Sequence, residues 1–442
     1  MNKISHLALA LLVIFTGSSL AQQKTISFDV EGLKVILRQT PKEVISTRLF
    51  VKGGTANYAK EKEGIEALAF DVAMSGGTTK LDKVAFNTQA EKIGTTFGSS
   101  TSLDFGELNM TCIKPFWDQS WKLFSQAITI PAFDQKEFDL AKDKMVSAAK
   151  QNESDPDGYL EQIAMENTFA GRNYAKIPNG TAANLEKLTL EETKKYFSSI
   201  IGKKRCYLVV VGNVSQDDLT AKVKESLASL PSGTLPATEQ KLLISKPSET
   251  IIDRDIATNY LMGVMSAPLF SSDDGVPMLI AMNILHDRFF VELRTKRSLS
   301  YAPAAYYDRQ AINSPYNAIY ISTQKPKESM QAMIEIIDSL KQKGFKEKEL
   351  VDKKQKFLTT TYMKLETSAS QSFALGRSEL TGGYMFDEKF PEKVNSTTLP
   401  QINRVFKDYS QAIKWTYLGK KDAVKKEDFK QAKRTDFPAG PH

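Results

Sequence analysis

The sequence predicts an α+β protein made of two homologous sheet-and-helix lobes that arise from an internal duplication and are joined by a linker. Three observations predict it. The chain repeats itself at about half its length: Phe133, Lys136, Glu137, Phe138, Lys142, Lys144 and Met145 recur in register as Phe345, Lys348, Glu349, Leu350, Lys354, Lys356 and Phe357, while TLEETKKYF (Thr189 to Phe197) matches TLPQINRVF (Thr398 to Phe406). The offsets, 212 and 209 residues, nearly agree, and two matches at one spacing argue for a duplicated domain. Within each half, segments of two-residue hydrophobic period alternate with segments of helical period. Between the halves, LPSGTLPATEQ (Leu230 to Gln240) is rich in Pro, Gly, Ser and Thr and reads as a connector. The expected organisation is therefore residues 1–21 as a signal peptide, 22–229 as one lobe, 230–248 as linker and 249–442 as the other lobe.

The elements follow in order. TISFDVEGLKVILRQT (Thr25 to Thr40) alternates like a strand pair, with a turn at Glu31-Gly32. Thr47 to Lys52 is a further strand, 64–75 and 82–93 carry helical periodicity, and SLDFGELNMTCI (Ser102 to Ile113) returns to strand. Phe116 to Ile128 and Gln135 to Asn152 read as helices, and CYLVVVG (Cys206 to Gly212) as a strand. The second half runs in the same sequence: strand Tyr260 to Met265, helix Gly275 to Lys296, strands Ser300 to Tyr307 and Ala318 to Gln324, then helices at 326–343 and 346–365, and the β-rich IKWTYLG ending at Gly419.

Composition narrows the function. At 442 residues, with 41% hydrophobic and 25% charged residues, the chain is long enough for more than one core and is built like a soluble globular protein. Its +7 charge comes from scattered lysines and gives no support to nucleic-acid binding. Lys3, the apolar run Leu7 to Phe15 and the small-x-small site Ser19-Leu20-Ala21 form the pattern of a signal peptide, so the expected location is the periplasm, with no stable membrane span after cleavage. Cys112 and Cys206 can pair or remain as two buried thiols. Of three histidines, His6 lies in the signal segment and His442 at the last position, so His286 alone is internal and a paired-histidine metal site is excluded. One internal histidine likewise rules against a Ser/His/Asp or Cys/His nucleophile set. On an amphipathic helix, His286 itself reads as structural. The pairs Phe289-Phe290 and Tyr306-Tyr307 read as core, and the lysine-rich run Lys346 to Lys356 as a solvated helix face.

The stretch GIEALAFDVAMSGGT (Gly64 to Thr78) resembles the active-site helix of the pitrilysin/insulinase-type zinc metallopeptidases, G-L-A-H-F-L-E-H-M-x-F-x-G-T, with its ligands replaced. Ala67 and Asp71 stand where the family has two histidines, and Phe70 where it has the general-base glutamate. The third ligand, a glutamate on a later helix, matches Ala148 in MVSAAKQNESDP. Two ligands at i and i+4 face one ion together on a helix, but alanine and phenylalanine can neither ligate zinc nor take a proton from water. The resemblance continues through Gly180-Thr181. In the second half, VELRTKRSLSYAPAA (Val291 to Ala305) is similar to L-R-E-K-R-G-L-A-Y-S-V, with Ser298 in place of a glycine and LHDRFF in place of a glycine-rich stretch.

The resemblance implies a clamshell of two lobes and a substrate-contacting pair, Arg294 and Tyr301. A guanidinium can hold a peptide carbonyl, and a phenol can donate to a developing oxyanion. It also implies a bacterial heterodimer in which this chain is the non-zinc subunit. Cofactors in this chain would be none, with zinc expected in a homologous partner and peptides as substrate. The alternative is a stand-alone periplasmic peptide-binding or scaffold pseudopeptidase.

Overall fold

A computed structural model describes residues 25–430, and the expected signal peptide, residues 1–21, lies outside them. The first half forms a six-stranded sheet from β1 (Thr25–Val30), β2 (Leu33–Gln39), β3 (Val44–Lys52), β4 (Thr96–Thr101), β5 (Phe105–Ile113) and β6 (Cys206–Gly212), in the order β1-β2-β6-β3-β5-β4. The second half forms a five-stranded sheet from β7 (Ser248–Asp253), β8 (Asn259–Ser266), β9 (Ala304–Asp308), β10 (Tyr316–Thr323) and β11 (Lys414–Gly419), in the order β7-β11-β8-β10-β9. Remove β1 and the two orders superimpose. Their senses agree as well: β2·β6 and β7·β11 are parallel, and every other neighbouring pair is antiparallel. The repeat read in the sequence is thus a repeat of topology.

The helices obey the same correspondence. The first half carries α1 (Ile65–Ser75), α2 (Lys83–Lys92), α3 (Trp117–Thr129), α4 (Gln135–Ser154), α5 (Pro156–Thr168), α6 (Ala182–Leu185), α7 (Leu190–Ile200) and α8 (Gln216–Ser226). The second carries α9 (Gly275–Phe289), α10 (Pro326–Lys343), α11 (Glu347–Lys364), α12 (Ser368–Gly382), α13 (Phe390–Ser396) and α14 (Leu399–Tyr409). The matched motifs begin α7 and α14, each with a capping box, Thr189 with Glu192 and Thr398 with Gln401, which satisfies the free N–H groups of the first turn.

Each sheet borrows a helix from the other half. α5 packs on β8 and β11, while α12 packs on β3 and β6. The second exchange is held by Phe50 and Tyr207, fully buried and stacked with ring centroids 5.1 Å apart, beneath Gly376 of α12. Glycine is required there, because a Cβ at 376 would fall 2.0 Å from the Phe50 ring, and the Tyr207 hydroxyl donates to the Gly376 carbonyl at 2.8 Å. With both faces covered, β6 is buried along its whole length, as its unbroken apolar run CYLVVVG demands.

Four sequence expectations shift. The helix expected over Gly275 to Lys296 stops being α-helical at Phe289 and continues as a π-helical segment, Phe290–Lys296, and β9 begins at Ala304 rather than Ser300. The intervening turn is closed by the Leu299 N–H donating to the Leu293 carbonyl and by Ser298 in a left-handed conformation. The shift in helical phase also turns Phe290, expected in the core with Phe289, out to 41% exposure. On α11 the lysine run is not wholly solvated, since Lys353 is buried and pairs with Asp287 at 2.6 Å. The two thiols are free and buried. Cys112 pairs across the sheet with Ile45 and Cys206 with Val51, opposite ends of β3, too far apart for a bridge. Burial pushes the Cys112 thiol up to about 11 and the Cys206 thiol to about 12, so both stay protonated.

Candidate functional site

A cleft of about 780 Å³ opens between the halves. α1 and α4, packed together, form its floor, and place Ala67, Asp71 and Ala148 along it. Ala67 and Asp71 keep the i, i+4 spacing at which a helix presents two side chains to one point, and Ala148 lines the same cleft from α4. Phe70, between them in sequence, does not line the cleft: it is fully buried, edge-on to Phe197 with centroids 6.1 Å apart. It packs over β5 at Gly106, where a Cβ would lie 2.4 Å from the Phe70 ring. The residues present do not fit zinc: among Ala67, Phe70, Asp71 and Ala148 only Asp71 has a donor. Among the described residues no group of three His, Cys, Asp or Glu side chains is placed to hold a metal ion. His286 is structural in its contacts: its Nδ1 accepts the Ala305 N–H at 3.3 Å, and burial lowers its pKa below the ordinary value.

The remaining walls come from β4 and its turn (Ser99 to Leu103), from α5 (Glu161, Met165), from the segment Tyr174 to Gly180, from Asp308 at the end of β9 and from Gln310 beyond it. Lys176 is committed to its own wall, its Nζ donating to the Thr55 and Tyr58 carbonyls at 2.7 and 2.5 Å and to Asn173 Oδ1 at 2.9 Å.

Arg294 and Tyr301 are brought together, though not in this cleft. The Arg294 guanidinium carbon lies 4.0 Å from the centre of the Tyr301 ring and 4.7 Å from that of Phe290, so it is held between two aromatic faces. Tyr301 is 79% exposed, and no carboxylate lies within 4.0 Å of Arg294 among the described residues. Tyr301 therefore faces outward, while Arg294 is half-buried in the stack. The backbone that presents it includes Ser298 at φ +49°, a conformation that costs a non-glycine residue about 1 kcal/mol. Ser298→Gly should accordingly raise stability by roughly 0.5–1 kcal/mol, measured by denaturant melts, with the Arg294–Tyr301 stack unchanged. A lower midpoint would mean that the serine side chain does more than tolerate the turn.

Of the buried carboxylates that escaped the sequence reading, Glu63, Glu66, Asp104 and Glu107, two bear on the site. Asp104, in the β4–β5 turn, accepts from Tyr174 Oη at 2.5 Å and, across the halves, from the Ile312 N–H at 2.7 Å and Asn313 Nδ2 at 2.6 Å. Glu66, next to Ala67, is fully buried, and its Oε2 accepts from Asn57 Nδ2 at 2.9 Å and Tyr196 Oη at 2.6 Å. Glu66 had a signal, being the one carboxylate inside the apolar start of α1. Asp104 had none, because its partners lie 70 to 209 residues away.

Family models match both halves: residues 34–182 match the insulinase family, peptidase family M16, and residues 187–357 match the peptidase M16 inactive domain. The chain is 24% identical over 381 residues to the non-peptidase homolog YmxG of Helicobacter pylori, covering 83% of this chain and 84% of that one. It is 20% identical over 385 residues to the zinc protease PqqE of the same organism, covering 83% and 86%. The crystal structure of a peptidase M16 inactive domain from Pseudomonas fluorescens superimposes with a TM-score of 0.82 at 18% identity, over 90% of this chain and 98% of that one.

Proposed function

The chain belongs to the insulinase family, peptidase family M16, as an inactive member, and from that premise we propose that it is the exported, non-zinc subunit of a heterodimeric peptidase. One observation carries the reading: Ala67, Phe70, Asp71 and Ala148 stand where the resemblance puts the ligands and the base, while Arg294, half-buried, stacks on the exposed Tyr301 with no carboxylate paired to it among the described residues. A pair that does not line its own chain's cleft is free to complete another's. Tyr301 would donate its hydroxyl to the oxyanion of a peptide held by the partner, and Arg294, kept in one orientation by Phe290 and Tyr301, would hold a neighbouring carbonyl. Zinc and the activation of water would come from the partner. Helicobacter pylori holds both a non-peptidase relative and a zinc-protease relative of this chain, which is the pairing that such a division of labour needs. The lobes would span 22–229 and 249–442 around the connector 230–248. Export rests on the apolar run Leu7 to Phe15, and no described helix is long and apolar enough to cross a membrane.

The experiment is co-purification from the native cell envelope, with zinc analysis and a fluorogenic peptide assay on the eluate. A zinc-bearing family member should accompany this chain, and activity should need both. Tyr301→Phe should then lower partnered activity about 10²-fold without changing assembly. Elution of this chain alone, free of metal and inert, would remove the heterodimer and leave a stand-alone peptide binder.

A further inference from the structure

We infer that the vacated metal position in this chain's own cleft is a socket for one apolar side chain of an extended peptide that carries basic residues beside it. The inference rests on the peptide-binding part of the reading above and is independent of the partner.

The floor has changed character as well as lost its ligands. Where a metal would need donors only Asp71 keeps one; Ala67 and Ala148, with Met145 and Ala149 beside them, present methyl and thioether surface, and Met165 continues it on the wall. Such a surface holds water poorly and gains by covering itself with an apolar side chain. Beside it runs β4, the last strand of its sheet, whose Ser99, Ser100 and Thr101 line the same cleft. Among the described residues the outer N–H and C=O groups of β4 have no strand partner, so an extended peptide can add there as a seventh strand. Successive side chains of a strand alternate between faces, so a peptide that points one residue at the floor points its neighbours toward the rim.

Charge selects those neighbours. The cleft is lined by Asp71, Glu153, Glu161 and Asp308 against Lys144 and Lys176, and the Lys176 ammonium is already held by two carbonyls and Asn173. Asp308 is partly satisfied, accepting the Gln310 N–H at 2.7 Å and the Tyr316 hydroxyl at 2.8 Å. Glu161 accepts no hydrogen bond among the described residues, and its pKa is held above the ordinary value by desolvation and by the charge of Asp308. A lysine or arginine of the peptide would relieve both effects; a glutamate would add to them.

The test uses the purified full chain and dye-labelled short peptides of alternating sequence with leucine at the centre and lysine on each side, read by fluorescence anisotropy. Replacing the leucine by alanine, or the lysines by glutamates, should each weaken binding by about tenfold, the second loss shrinking in high salt. Ala148→Trp, an exposed helical site where the fold tolerates bulk, should remove the leucine preference and leave the charge preference. Glu161→Gln should do the reverse. Equal affinity for all the peptides would overturn the socket while leaving strand capture intact. No binding of any of them would overturn the inference altogether, and the partnered assay of Tyr301→Phe would still decide the heterodimer.

Discussion

Asp104→Ala should lower the stability of the chain by on the order of 4 kcal/mol and let the two halves move apart. The carboxylate is buried, and it accepts from Tyr174 of its own half and from Ile312 and Asn313 in the β9–β10 turn of the other. Tyr174 is tied in turn, accepting the Asn313 N–H at 3.0 Å. Alanine would leave a backbone N–H, a side-chain amide and a phenol in the interior with no acceptor, and each orphaned group adds its own desolvation penalty. The same bonds join the halves beside the cleft, since Tyr174 and Leu103 line it. Their loss should therefore appear in small-angle scattering as an increased radius of gyration as well as in a lower denaturation midpoint. Asp104→Asn, which keeps the shape but turns one acceptor into a donor, should fall between. Asp71→Ala serves as the control, for that carboxylate has no side-chain hydrogen bond among the described residues. If Asp104→Ala matched Asp71→Ala in both measurements, the turn would not be a clasp between the halves.

That clasp marks the boundary of what could be read from the sequence. Patterns confined to one element were legible: Thr189 and Thr398 announced their helices through their capping partners, and Glu31-Gly32 announced its turn. The duplication was legible because its signals recur at one spacing. The floor positions Ala67, Asp71 and Ala148 were legible because helical periodicity and the family frame fix which side faces the cleft. What stayed hidden was pairing at a distance. Nothing local to Ser368–Gly382 says that it covers the sheet of the other half, although the wholly apolar β6 and a glycine at 376 both required some close-packed layer above them. The π-helical phase change at Phe290 was hidden for a related reason. No residue pattern within Phe290–Lys296 marks the change of hydrogen-bond period, and the turn that follows holds a serine, not a glycine, left-handed at 298.

Glu66→Gln should flatten the dependence of stability on pH. Burial raises the Glu66 carboxyl from the ordinary 4.5 to about 7, against the lowering effects of Asn57, Tyr196 and Arg205. Its Oε1 has no hydrogen-bond partner among the described residues and faces β5 at Gly106. The groups around it come from four elements. Asn57 and Tyr58 lie before α1, Tyr196 is on α7, Arg205 precedes β6, and the Phe70 ring stands beside it on α1. Arg205 is the cation among them, and it donates to Asn57 Oδ1 rather than to Glu66. Below pH 4.5 the carboxyl is protonated in both folded and unfolded chains, and its contribution is fully present. Between 4.5 and about 7 the unfolded chain releases the proton while the native chain keeps it, so stability falls as pH rises. Above 7 the loss is complete, on the order of 3 kcal/mol for a fully buried group. Glutamine is neutral throughout, and its carbonyl can still accept from Tyr196 and Asn57. The variant should match the parent at about pH 4 and exceed it at pH 8 by most of that amount, in denaturant melts run at both values. Tyr196→Phe removes a donor that favours the ionised form, so it should move the pH midpoint upward. Parallel melting curves for Glu66→Gln and the parent across this range would mean that the carboxyl is ionised in the fold, and that Arg205 reaches it more closely than its bond to Asn57 implies.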